Sequence, residues 1–394
     1  MQLLGRRYDT GAAVRLDIEA GKIARLTPCS PAADDASRLP WLAPGLIDLQ
    51  FNGYGGQEFS APDITPEKVA QITQTLARFG VTRFCPTLTT QRSDVLQHAL
   101  RAVAAACEAS RAVARSVVGI HLEGPYISRD DGVRGAHPRE HCRPPDWDEF
   151  QRFQEAAGGR ICLLTMSVEF DSAAAFISRA AQSGMVVAIG HTAANSAQIR
   201  AAVDAGARLS THLGNGCHLL LKRHSNYLWD QLAEDRLLAS LIVDGHHLPP
   251  EVVKTFVRAK TPERCILISD MSGLAGWPPG RYASNLCEVE ILPSGRMVIA
   301  GQTELLAGAS LPIGVGVVNV MHFAGLSLAQ AVQMAVVHPA RLLGITPGGL
   351  EPGDAADLVL FELMASPEGG PCRFHVRATL AAGEVAFGTV GRAF

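Results

Sequence analysis

Residues 65–88, T-P-E-K-V-A-Q-I-T-Q-T-L-A-R-F-G-V-T-R-F-C-P-T-L, change their hydrophobic period at a glycine. Up to Gly80, the apolar residues Val69, Ile72, Leu76 and Phe79 recur at helical spacing and form one face. Thr65 offers a side-chain oxygen to the first turn, and Pro66 sits where its missing N–H costs nothing. Gly80 can adopt the left-handed conformation that ends a helix. From Val81 the chain turns β-branched and apolar, the composition of a buried strand.

This join of helix to strand recurs. Eight short apolar runs lie at Leu46–Phe51, Val81–Leu88, Ser116–Leu122, Ile161–Val168, Met185–Ile189, Ala207–His212, Leu237–Val243 and Cys265–Ile268. Most are followed by a helical pattern, and alternating strand and helix predicts a parallel sheet. Eight such units predict an α/β fold of the closed (β/α)8, TIM-like type, whose functional groups gather at the C-terminal ends of the strands. Both ends of the chain read differently. Val14, Leu16 and Ile18 alternate with polar residues, turn at Ala20-Gly21 and continue through Ile23 and Leu26 as a hairpin, while 357–361 and 378–387 are again strand-like.

The composition suits a globular chain with a large core: 394 residues, 47% hydrophobic and 19% charged. A net charge of −3, with no block of basic residues, argues against a nucleic-acid partner. No apolar run reaches the roughly 18 residues needed to span a bilayer, and Met1–Thr10 lacks an apolar signal core, so no membrane partner and a cytoplasmic location are expected. The nine cysteines are scattered, with no C-x-x-C pair, which suits reduced thiols better than a disulfide framework.

The residues that end the predicted strands carry chemistry. Gln50 and Asn52 follow the first, Glu123 the third, His191 the fifth, His212 the sixth and Asp270 the eighth. One carboxylate and two imidazoles form a ligand set that a divalent metal such as zinc accepts with a position to spare. Such an ion lowers the pKa of bound water from about 15.7 towards roughly 7, and a free carboxylate, here Asp270, can then move the proton. His121 shares its strand face with Glu123 and reads equally well as a supporting partner or as a buried structural histidine.

Taken together, P-G-L-I-D-L-Q-F-N-G (44–53), H-L-E-G-P (121–125), G-A-H-P (135–138), G-H-T (190–192), T-H-L-x-N (211–215), D-G-x-H (244–247) and S-D-x-x-x-x-A-G (269–276) resemble the N-acetylglucosamine-6-phosphate deacetylases of the amidohydrolase superfamily. The resemblance implies a barrel over residues 44–344, with a small β-sandwich domain formed from 1–43 and 345–394. It implies one zinc ion held by Glu123, His191 and His212, with Gln50 and Asn52 standing where two-metal relatives carry His-x-His. Asp270 would act as base and then acid, and His137 would hydrogen-bond the substrate carbonyl or a hydroxyl. Asn215 and Gly216 would contact the substrate, and Arg223 and His247 would grip its phosphate, with Arg223 able to reach across a homodimer. The expected substrate is a small phosphorylated, acetylated amino sugar.

The chain departs from the family pattern around Arg223, where Lys222-Arg223-His224-Ser225 replaces G-R-E-P-G, and residues 276–281 (G-W-P-P-G-R) are a local elaboration. An amidohydrolase for an unphosphorylated or otherwise acylated compound therefore stands as the alternative. An inactive barrel serving as a scaffold is disfavoured by the retention of four chemical residues at strand ends.

Overall fold

The computed structural model describes residues 1–30, 38–366 and 370–390. Parts of the expected small domain, 31–37, 367–369 and 391–394, lie outside the described residues. The helix read from residues 65–80 forms as expected: the Thr65 side chain accepts from the backbone N–H of Lys68, and Val69, Ile72 and Leu76 are buried. Gly80 ends the turn with φ 77°.

Eight parallel strands follow one another in sheet order. They are Leu46–Phe51, Val81–Thr89, Ile120–Glu123, Ile161–Met166, Val186–Ile189, Ala207–Ser210, Leu238–Ile242 and Cys265–Ile268. The third is shorter than the sequence suggested. Ser110 caps a helix over Arg111–Ser116, so Ser116 ends a helix and does not begin a strand. Buried Leu163, Ala188, Leu209, Ile242, Ile266 and Ile268 form a cluster contributed by five of the strands, the layered apolar filling of a packed barrel.

The first and eighth strands meet at a seam made as much by side chains as by a ladder. The backbone N–H of Asp270 donates to the Gln50 carbonyl at 2.9 Å, and that of Asn52 to the Met271 carbonyl at 2.8 Å. Beneath these bonds the buried Asp48 carboxylate accepts the Ser269 N–H at 3.2 Å and the Ser269 hydroxyl at 2.5 Å, as well as the Gln50 N–H at 3.3 Å. Burial pushes the Asp48 carboxyl up to about 7, against the pull of its Ser269 hydrogen bonds.

Both chain ends combine in one seven-stranded sheet, ordered 384–388, 373–381, 358–364, 41–44, 2–7, 13–19, 22–28. The 13–19 and 22–28 strands are the predicted hairpin, in register Glu19↔Lys22. Leu3, Val14, Leu16, Leu42, Leu358 and Leu380 give this domain its own core. Among the described residues no helix is long and apolar enough to cross a membrane.

A third sheet went unread in the sequence. Gly280–Ala283, Glu288–Ile291 and Met297–Ile299 form a three-stranded antiparallel unit after the eighth barrel strand. The 276–281 elaboration leads into it.

Asp48→Ala would leave the Ser269 and Gln50 N–H groups and the Ser269 hydroxyl without their acceptor. It should cost about 3 kcal/mol, read as a lower urea midpoint. An unchanged midpoint would mean that the backbone bonds alone hold the seam.

Candidate active site

Glu123 ends the third strand, and His191, His212 and Asp270 each stand two residues past the fifth, sixth and eighth. All four are buried. Seven non-glycine residues among those described have positive φ, and three of them are His191 (51°), His212 (29°) and Asp270 (52°). Backbone conformations that side chains avoid therefore gather where the strands deliver these groups.

Ligand atoms of Glu123, His191 and His212 lie within 4.8 Å of one another. His212 Nε2 is 2.9 Å and His191 Nε2 3.2 Å from the same oxygen, Glu123 Oε1, and the two Nε2 atoms are 3.1 Å apart. His191 Nδ1 faces the Val133 carbonyl at 2.7 Å, so Nδ1 carries a proton and donates it there. Its Nε2 lone pair then points at a carboxylate oxygen and at a second imidazole nitrogen. Electron pairs converging in a buried site fit a shared cation, with the Val133 carbonyl orienting the ring as an outer partner does. Burial alone would raise the Glu123 carboxyl, but the adjoining His191 and His212 imidazoles outweigh it and hold the group well below the usual range. Burial likewise works to lower His212, and the Glu123 carboxylate overrides it and raises the imidazole. The site draws positive charge to itself.

Asp270 is pushed up to about 6, by burial and then by the nearby Glu123 charge. A cation held by the triad opposes that rise. Asn52 Nδ2 donates to Asp270 Oδ1 at 2.7 Å, leaving Oδ2 for a proton. Gln50 Nε2 donates to Glu123 Oε1 at 3.0 Å. The strand-1 pair thus supports the two carboxylates through amide N–H groups, and the buried Asn52 Oδ1 has no partner among the described residues. His121 is structural: Nδ1 faces the Leu49 carbonyl at 3.1 Å and Nε2 the Thr165 hydroxyl at 2.7 Å.

These groups form the floor of a cleft of about 580 Å³, within the usual size of a small-molecule site. His137, Asn215, Gly216 and His247 all line it. The His137 ring packs edge-on against His191 with centroids 4.5 Å apart, and its buried Nδ1 has no partner, nor does Asn215 Nδ2. Burial pushes the His137 imidazole down to about 3, so it is neutral and can donate one N–H. His247 Nδ1 is 2.8 Å from the buried Asp244 carboxylate, which also accepts the His246 and His247 N–H groups. Burial would raise that carboxyl, but His247 holds it at about 2.

Arg223 differs from the rest of the expected set. It is exposed on the 217–225 loop and is not among the cleft-lining residues of its own chain. Glu58, His218, His246, Arg296 and Glu304 line the cleft without having been singled out from the sequence. For His246 the double histidine of D-G-H-H was the available signal. For Arg296 it was Pro293-Ser294-Gly295 between alternating apolar residues, the mark of a hairpin.

A parallel eight-stranded barrel with a buried Glu-His-His set and a free carboxylate at its strand ends is the scaffold of a metal-dependent hydrolase. The profile of the amidohydrolase family matches residues 41–386. The N-acetylglucosamine-6-phosphate deacetylase of Mus musculus is 32% identical over 354 residues, covering 87% of this chain and 83% of that protein. The N-acetylgalactosamine-6-phosphate deacetylase of Escherichia coli O157:H7 is 32% identical over 350 residues, covering 88% and 90%. Among solved structures, a mutant N-acetyl-D-glucosamine-6-phosphate deacetylase of Mycobacterium smegmatis in complex with N-acetyl-D-glucosamine-6-phosphate superposes with a TM-score of 0.84 at 28% identity, over 98% of this chain and 99% of that one. The chain belongs to the amidohydrolase family, within its N-acetylglucosamine-6-phosphate deacetylase group.

Gly216 tests how tightly the triad is held. A Cβ there would lie 2.8 Å from His191 Nδ1, at a φ of 58°. Gly216→Ala should displace His191 and weaken divalent-metal binding about 10- to 100-fold, measured by competition with a chelator. Unaltered affinity would mean that His191 is not a ligand.

Proposed function

We propose that this protein hydrolyses the N-acetyl amide of N-acetylglucosamine 6-phosphate to glucosamine 6-phosphate and acetate. The observation that carries the reading is the convergence of Glu123, His191 and His212 beside Asp270 on the floor of a sugar-sized cleft. The names of the relatives agree with it.

One divalent ion, zinc, would be held by Glu123, His191 and His212. Bound there, it supplies a Lewis acid that polarises the amide carbonyl and acidifies water. Asp270 Oδ2 takes the proton from the attacking water and returns it to the departing nitrogen, so that the C–N bond breaks to give an amine and a carboxylate. Asn52 keeps the other Asp270 oxygen occupied and the carboxylate aimed. His137 offers an N–H to the substrate carbonyl or a neighbouring hydroxyl, where negative charge develops. Asn215 and Gly216 would contact the sugar, Asn215 through an amide N–H that has no partner among the described residues. Gln50 steadies Glu123 through a donated N–H, which supports a single ion.

His247 lines the cleft and would meet the phosphate. The exposed Arg223 could add to that contact only from a second copy, so this role goes with a homodimer. Residues 44–344 would form the catalytic unit and the two flanking segments the small domain. Nine free cysteines accord with a cytoplasmic location. The Escherichia coli relative's name favours one second reading, the galactosamine epimer as substrate.

Acetate release by the zinc-loaded protein should be measured on both phosphorylated epimers and on unphosphorylated N-acetylglucosamine. Asp270→Asn should lower kcat about 1,000-fold while metal content is retained. A variant with near wild-type turnover would remove Asp270 from the proton transfer.

A further inference from the structure

Arg296 is the only lysine or arginine among the cleft-lining residues. It follows the tight turn of the hairpin whose strands are Glu288–Ile291 and Met297–Ile299, in register Ile291↔Met297. The turn is closed by Leu292 N–H to the Arg296 carbonyl at 2.9 Å and by Gly295 N–H to the Leu292 carbonyl at 2.8 Å. Val289, Ile291 and Met297 are buried and anchor the hairpin. Its tip is tied down by the Ser310 hydroxyl, which donates to the Gly295 carbonyl at 2.6 Å. The segment leading to Ser310, Leu305 to Gly308, itself lines the cleft. Arg296 therefore leaves a braced turn and not a loose loop.

Arg296 Nε is buried without a hydrogen-bond partner among the described residues, as are those of Arg15, Arg83, Arg134 and Arg160, but of these five only Arg296 lines the cleft, and among the described residues no carboxylate lies within ion-pair distance of it. Two carboxylates of the cleft wall could have served. Glu58 is engaged by the Gly273 N–H and the Asn285 amide, and Glu304 is exposed and unpaired with it. A buried, unpaired donor on a cation at the wall of a ligand cleft is costly unless an anion completes it.

We infer that Arg296 is an anion-recognising residue of this cleft, contributed in cis, that selects a phosphate monoester on the sugar. The fork of guanidinium N–H groups matches two phosphate oxygens. This inference rests on the proposed sugar-phosphate reading and adds to it a specificity residue on the chain's own hairpin.

Binding and turnover should be read separately, on the metal-loaded wild type, Arg296→Met and Arg296→Lys. Methionine keeps an apolar stem for packing and removes the charge. Affinity for glucosamine 6-phosphate and for glucosamine is measured by calorimetry, and acetate release from the two acetylated sugars is followed in parallel. Arg296→Met should weaken glucosamine 6-phosphate at least about 10-fold and leave glucosamine unchanged, with Arg296→Lys in between. Equal losses on both ligands, no loss on either, or a wild type that binds both sugars equally would overturn the assignment. If acetate is not released but binding of the phosphorylated sugar still depends on Arg296, the deacetylase reading fails and the anion site stands.

Discussion

Everything in this molecule is arranged around three electron-rich atoms that should repel one another. Glu123 Oε1, His191 Nε2 and His212 Nε2 are held about 3 Å apart in a buried site. A proton on His212, whose imidazole the Glu123 carboxylate raises against burial, relieves the crowding only in part. A divalent cation relieves it fully, because each atom then presents its lone pair to a common centre. The barrel supplies the rigidity that this requires. Three strands end within reach of one point, His191 and His212 leave theirs at positive φ, and Val133 and Gln50 fix the orientations of His191 and Glu123.

The same crowding explains the seam. Asp270 can work beside the triad only if the eighth strand is locked to the first, and the link runs through Asp48 and Ser269 below it and Asn52 above it. Gln50 and Asn52 steady one carboxylate of the site each. Strand 1 thereby holds Glu123 and Asp270 in place through two amide N–H groups.

Much of this was legible in the sequence because it is local. Glu123, His191, His212 and Asp270 each close an apolar run, and strand period together with barrel geometry then brings them together. The same locality exposed the Thr65 cap and the Ala20-Gly21 hairpin. Ser116 does not begin a strand because it closes a short capped helix directly ahead of the apolar Val117 and Val118, and periodicity cannot place that boundary over so few residues. His121 stayed undecided until Leu49 and Thr165, neither of them a sequence neighbour, were seen to satisfy both of its nitrogens. The cleft wall was the least legible part. The reach of Arg296 depends on a hairpin pinned by Ser310 and the exposure of Arg223 on the path of a long loop, and neither is written in a local pattern. Chemistry thus resides on the strand ends, while the choice of substrate resides on segments that the barrel does not fix.

The central claim is that the triad holds a single divalent ion. Anomalous diffraction from crystals of the zinc-loaded protein, collected on both sides of the zinc edge, tests it directly. The account predicts one peak per chain, about 2.0–2.2 Å from a Glu123 oxygen and from Nε2 of His191 and His212. No peak at the triad, or a second one of equal height beside Gln50 and Asn52, would contradict it.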